Sequence, residues 1–185
     1  MSTRSYVGVL QADGRTYRVR YAHFDGGPGT MPYLIAAVWW HTFGGDDAAT
    51  VAALLAHDWQ QIGPDITTDT PPSMPLYRAI PGVGIPMPAA DTTPQPLTGQ
   101  LSDAMPRTPI RWMHLIDTTS PGQLLICAAL ARSAQTTHWI VRHHLDLSVG
   151  RDVVDADRST SRTLTSGTPT TQTPASGLFR RTRYP

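Results

Sequence analysis

Lysine, glutamate and asparagine are absent from the 185 residues, so all 15 basic side chains are arginine and all 14 acidic ones aspartate. Without lysine there is no Schiff-base amine and no phosphate-loop lysine. Without glutamate, bases such as that of the His-Glu-x-x-His metalloproteases are excluded, and any carboxylate chemistry falls to aspartate. The codon bias of a GC-rich genome accounts for arginine in place of lysine but not for the missing glutamate.

Cysteine is limited to Cys127, which excludes an internal disulfide and any cysteine-rich zinc site. Its place in the apolar run Leu124–Leu130 marks it as a buried small hydrophobe rather than a nucleophile. The opening Met-Ser-Thr-Arg-Ser-Tyr has no apolar stretch of signal-peptide length, and no run reaches membrane-spanning length. A cytoplasmic location without membrane contact is therefore the expectation.

What is abundant is proline, at 17 residues, with 15 glycines, against a hydrophobic content of 40%. That balance points to long irregular segments and a core drawn from part of the chain. Residues 158–185 carry Arg158, Arg162, Arg180, Arg181 and Arg183 and no acid, whereas residues 1–157 set the other ten arginines against every aspartate. A mildly acidic body thus precedes a basic Thr/Ser/Pro-rich tail that has too little apolar surface to offset its chain entropy.

Taken in order, residues 5–24 read as a β-hairpin about Asp13-Gly14, with Tyr17, Val19, Tyr21 and His23 alternating along its second strand. Gly26, Gly27 and Gly29 around Pro28 end that strand, on the expectation that glycine supplies backbone angles closed to other residues. Thr30 as N-cap and Pro32 in the first turn open a helix with Met31, Leu34, Ile35, Val38 and Trp39 on one face. Gly44-Gly45 stops it, and Asp46 or Asp47 caps a second helix with Val51, Leu54, Leu55 and Ile62 on one side, closed by Gly63-Pro64.

Eleven prolines make residues 64–109 a coil-like connection, with a short extended piece at Tyr77–Ile80. Ile110–Asp117 and Thr136–Leu147 read as strands about the Ser120-Pro121-Gly122 turn. Gln123–Arg132 is two-sided: Leu and Ala favour helix and the turn favours a hairpin partner, with a strand expected over its first half.

The polar chemistry converges where the first hairpin ends. Alternation places Tyr21, His23 and Asp25 on one face, beside a helix start whose unpaired amides carry partial positive charge. Together with Gly26, Gly27 and Thr30 they form a candidate binding corner for a partner or a small polar ligand. Asp25 holding His23 as a general base is the catalytic alternative. The structural alternative has Asp25 accepting from the corner amides, His23 pairing with it and Tyr21 covering the core edge.

No metal or cofactor is expected. The remaining histidines, His41, His57, His114, His138, His143 and His144, show no ligand spacing, and His143 and His144 point to opposite faces of a strand. No nucleophile elbow occurs, and proline spoils Gly26-Gly27-Pro28-Gly29 as a phosphate loop. In the tail, Arg180, Arg181 and Arg183 beside Phe179 and Tyr184 suit an acidic protein or nucleic acid, with an unstructured solubilising terminus the preferred reading.

The segments Ser2-Thr3-Arg4-Ser5-Tyr6-Val7-Gly8-Val9 and Tyr21-Ala22-His23-Phe24-Asp25-Gly26-Gly27-Pro28 resemble a family of actinobacterial and actinophage proteins. Its members look like Met-Gly-Thr-Arg, a hairpin, then Tyr-x-His-Trp-Asp-Gly-Tyr-Pro. Pro81-Gly82-Val83-Gly84 and Arg111-Trp112-Met113-His114-Leu115 are similar to its later segments, so the resemblance covers residues 2–130. Here Ser2 stands for the usual glycine, Phe24 for the tryptophan and Gly27 for the tyrosine before proline, which alters any site that tyrosine lines. The resemblance implies a small α+β domain in a bacterial or phage setting and no assigned reaction.

The expected architecture is an α+β domain over residues 1–157. It has the hairpin, two helices covering one sheet face, the 64–109 loop, and two or three further strands completing an antiparallel sheet. The expected function is non-enzymatic binding at the Tyr21/His23/Asp25 corner. A hydrolase or transferase using a His23–Asp25 dyad, and an assembly protein with tail-mediated subunit contacts, are the alternatives.

Overall fold

The computed structural model describes residues 3–67, 78–88, 91–106 and 108–150. Within them the chain is mainly sheet. Its strands are β1 (Ser5–Leu10), β2 (Thr16–Ala22), β3 (Trp59–Ile62), β4 (Gly84–Pro86), β5 (Leu97–Gln100), β6 (Met105–Pro106), β7 (Trp112–Asp117), β8 (Gln123–Ala131) and β9 (Thr136–Asp146). Its helices are α1 (Met31–His41) and α2 (Asp47–Ala56), followed at the far end by a 3-10 turn at Leu147–Gly150. Residues 151–185 lie outside the description, and with them the tail arginines Arg180, Arg181 and Arg183.

The strands form one mixed sheet in the order β4-β3-β2-β1-β7-β8-β9-β6, with β5 on the outer edge of β2. The hairpin is present, pairing Ser5 with Ala22 through Leu10 with Tyr17. Its loop runs past the Asp13-Gly14 pair, because the Asp13 carboxylate accepts from the amides of Arg15 and Thr16 and from the Thr16 hydroxyl. Those bonds hold the exposed Asp13 carboxyl at about 2.

The wholly antiparallel expectation is corrected. β1 pairs with β7 in parallel, and β3 meets β2 in parallel at Ala22 and Trp59. The chain between β1 and β7 contains both helices, and this long crossover returns it beside β1 in the same direction. Seven strands, not two or three, join the hairpin among the described residues.

The second helix is shorter than its apolar spacing suggests. It ends at Ala56, and His57 is already extended. Trp59 and Ile62 match helical spacing, but the edge of β2 claims their backbone: the amides of His23 and Phe24 donate to the carbonyls of Trp59 and Gln60 at 2.9 and 3.2 Å. Sheet pairing overrides local preference there. At the other end Asp46 caps the helix by accepting from the Ala49 amide.

The proline-rich connection supplies β4, β5 and β6 rather than coil. Its prolines sit where a missing amide is tolerated: Pro86 and Pro106 are in β4 and β6, the two outermost strands of the sheet. Of the extended piece expected at Tyr77–Ile80, Tyr77 lies outside the described residues, Arg78 and Ala79 form no strand, and Ile80 makes an isolated bridge to Gly84.

Alternation then builds two cores. Val7, Ala22, Ile116 and Leu124 face the helices and pack with Ile35, Val38, Trp39, Leu54, Trp59 and Leu147. Tyr17, Val19, Met113, Leu115, Leu125, Cys127 and Trp139 face the other way and are covered by Leu101, Met105 and Ile110. Both helices lie on one face, as expected, and the connection covers part of the other. At about 1.5–3 kcal/mol per large buried side chain, each cluster is a substantial stabilising block.

A buried ionic knot joins these layers. Arg20 donates through Nε to the Leu55 carbonyl at 2.9 Å and through Nη1 to the Thr93 carbonyl at 2.7 Å, with Asp58 at 3.9 Å. Asp58 in turn accepts from the amides of Tyr21 and Thr93. Asp58→Ala leaves the Arg20 guanidinium buried without its counter-charge, and urea unfolding is expected to show a loss of about 3–5 kcal/mol. A loss below about 1 kcal/mol would mean that the knot contributes little.

Candidate functional site

β2 ends at Ala22, and the successive amides of His23 and Phe24 both donate toward β3, so regular alternation stops there. The Tyr21 phenol nevertheless reaches the imidazole, its oxygen 3.0 Å from His23 Nδ1. The neutral phenol donates to an unprotonated Nδ1 or accepts from an N–H there, according to tautomer. The two rings meet edge to face at 6.0 Å, and Phe24 meets the imidazole edge to face at 4.6 Å. Burial holds the Tyr21 phenol above its ordinary value, with nearby Arg4 opposing.

Asp25 is exposed, with its backbone in the left-handed region at φ 58°. Among the described residues it is the one non-glycine with positive φ, and none of Gly26, Gly27 and Gly29 shares that geometry. The turn is thus made by aspartate, a residue that tolerates this region better than most. Gly26 is needed for another reason: a Cβ there would lie 2.6 Å from Ser5 Cβ and Oγ. The Gly26 amide donates to the Thr3 carbonyl at 2.8 Å, bringing the corner against the start of β1.

The hydrogen bond at His23 Nδ1 is to the Tyr21 phenol. Thr30 occupies the N-cap position of α1 without a side-chain cap. The amides of Met31 and Tyr33 donate to the carbonyls of Gly27 and Thr30, and Pro32 has no amide to offer. The helix start is therefore closed by the chain's own carbonyls, which corrects the expectation of free amides. Gly27 and Thr30 serve that closure.

The corner borders an aromatic surface. Tyr6 is the cross-strand partner of Tyr21 and meets Trp139 edge to face at 6.2 Å. Tyr17 and Trp139 both donate to the Met105 sulfur, at 3.0 and 3.1 Å. A cavity of about 460 Å3 opens there, with Tyr6, Tyr17, Leu97, Asp103, Met105 and Pro109 in its wall, so the proline-rich connection lines it.

Under the corner lies a histidine not singled out by sequence pattern. His114 is wholly buried on β7 and donates from Nε2 to the Gly26 carbonyl at 3.1 Å. Its Nδ1 and the Ser5 hydroxyl, both buried, have no hydrogen-bond partner among the described residues. Burial lowers the imidazole to about 4, so it is neutral at pH 7. The signal was its alternation with Ile116 on a face otherwise committed to the core.

The other expectations divide. No group of three or more metal-ligating side chains occurs among the described residues. His143 and His144 pair with Ile126 and Leu125, on opposite faces as their adjacency implies. Burial pushes the Cys127 thiol up to about 12, which removes it as a nucleophile at neutral pH. No helix of the described residues is long and apolar enough to cross a membrane. Compared with family models, curated proteins and solved structures, the chain matches none.

His114 makes stability pH-dependent. It titrates near 6.5 when unfolded and near 4 when folded, so between those values the unfolded chain binds more protons. Stability then rises with pH across that window: the contribution is intact above 6.5 and is lost as pH falls toward 4. The loss is about 3 kcal/mol at about 1.4 kcal/mol per unit. Urea unfolding near pH 7 and pH 4 should show that much more loss for the native chain than for His114→Gln. Equal losses would assign the acid sensitivity elsewhere.

Proposed function

We propose that this is a non-enzymatic accessory protein that binds a partner or a small polar ligand at the Tyr21–His23–Asp25 corner, with the proline-rich connection forming the adjoining wall. One observation carries the reading. A half-buried phenol and imidazole, hydrogen-bonded to each other, precede by two residues an exposed aspartate whose carboxylate has no partner among the described residues. An exposed carboxylate at a left-handed turn, two residues from a paired phenol and imidazole, suits a ligand or partner side chain that is cationic and donates hydrogen bonds.

The catalytic alternative has less support, because a His–Asp dyad needs the carboxylate on the imidazole and the hydrogen bond at His23 Nδ1 is to the Tyr21 phenol. The resemblance to actinobacterial and phage proteins with no assigned reaction agrees with an accessory binding role in such a setting.

Argininamide provides a test, as a small cationic donor titrated into the isotope-labelled full chain. Amide shifts should concentrate at residues 21–26, and Asp25→Asn, which keeps tolerance of the left-handed turn, should weaken binding about tenfold. Because Asp25 is exposed, the variant's melting temperature should hardly move. Unchanged affinity in a folded Asp25→Asn protein would falsify the assignment.

A further inference from the structure

The opposite face of the sheet carries a second site that does not rest on the corner. α2 is almost uniformly apolar beyond Asp47 and Thr50, yet only Thr50 and Leu54 are buried. Val51, Leu55 and the small residues Ala48, Ala52 and Ala56 line an open groove of about 660 Å3 against the sheet. Val9 and Arg18, cross-strand partners on β1 and β2, also line it. The volume falls within the range of small-molecule pockets, and ten helical residues give a groove about 15 Å long at about 1.5 Å per residue.

Charge decides what kind of molecule fits. Two ionised groups line the groove, Arg18 and Asp47. The Asp47 carboxylate is spent, accepting from Trp39 Nε1 at 2.7 Å and from the Gly122 amide at 2.9 Å. Arg20, two residues on along the same strand face, is spent on Leu55, Thr93 and Asp58. Arg18 is exposed, and among the described residues no hydrogen bond or ion pair reaches its side chain. The unspent charge is therefore a guanidinium above an apolar floor. Gln11 and Thr118, one residue past the ends of β1 and β7, add polar groups to the same lining.

We infer that this groove binds a small amphiphilic acid, its apolar chain lying under α2 and its single carboxylate paired with Arg18. The guanidinium fork matches a carboxylate in two-point geometry, and the alanines of α2 leave the width that an alkyl chain needs. Alternation along β2 puts Arg18 and Tyr21 on opposite faces, so the two sites are independent.

Sodium decanoate, titrated calorimetrically below its micelle concentration into the full chain, tests this, with decyltrimethylammonium as the charge control. Saturable binding of decanoate and not of the ammonium is expected. Arg18→Gln, a change at an exposed position, should weaken it about tenfold or more. Ala52→Phe, which places a ring in the groove, should abolish it while circular dichroism shows the fold kept. Absence of saturable decanoate binding, as when the groove is filled by another part of the chain or by a second copy, overturns the inference. So does equal affinity in Arg18→Gln, in a folded Ala52→Phe, or for the ammonium.

Discussion

The outer edge of β2 poses a problem that one carboxylate solves. Two strands share that edge: β5 pairs with Thr16–Val19, and β3 takes over from Ala22. Between them the Tyr21 amide points outward with no strand to receive it, and Asp58 Oδ1 accepts it at 3.0 Å. A buried amide without a partner costs a few kcal/mol, so the side chain stands in for a missing piece of backbone. Its other oxygen takes the Thr93 amide, and its charge balances Arg20, which holds the end of α2 through the Leu55 carbonyl. One residue thus fixes where β3 begins, where α2 stops and where the connection returns to the sheet.

Period-two alternation on β2 then distributes the rest. Arg18, Arg20 and Ala22 face the helices, while Tyr17, Val19 and Tyr21 face the aromatic side. The first set meets α2 and the groove beneath it, and the second leads to the corner. Gly26, seated against Ser5 and accepting from His114, ties that corner to the first and seventh strands.

Much of this was legible in the chain itself. Asp13-Gly14 between alternating runs, the stripe from Met31 to Trp39, the Gly44-Gly45 stop and the strands expected at Ile110–Asp117 and Thr136–Leu147 are local signals, and each produced its element, whereas Gln123–Arg132, expected as strand over its first half only, is strand through Ala131. What failed was non-local. Trp59 and Ile62 fit a helix by spacing, and only the distant edge of β2 makes them a strand. The proline count of residues 64–109 correctly forbade central strands but said nothing of edge strands. At the corner, the pattern placed Tyr21 and His23 together but could not show that Asp25 itself would take the left-handed turn. His114 looked like one histidine among seven because burial depends on what packs above a strand.

The parallel partnership of Ser5–Leu10 with Trp112–Asp117 has a bearing on how the chain is made. A ribosome releases the N-terminal hairpin long before the segment that must lie against its inner side. During that interval Val7 and Val9 lack a neighbour, and the exposed edge is open to any extended peptide nearby. Commitment to the native order must therefore wait until Trp112–Asp117 has emerged.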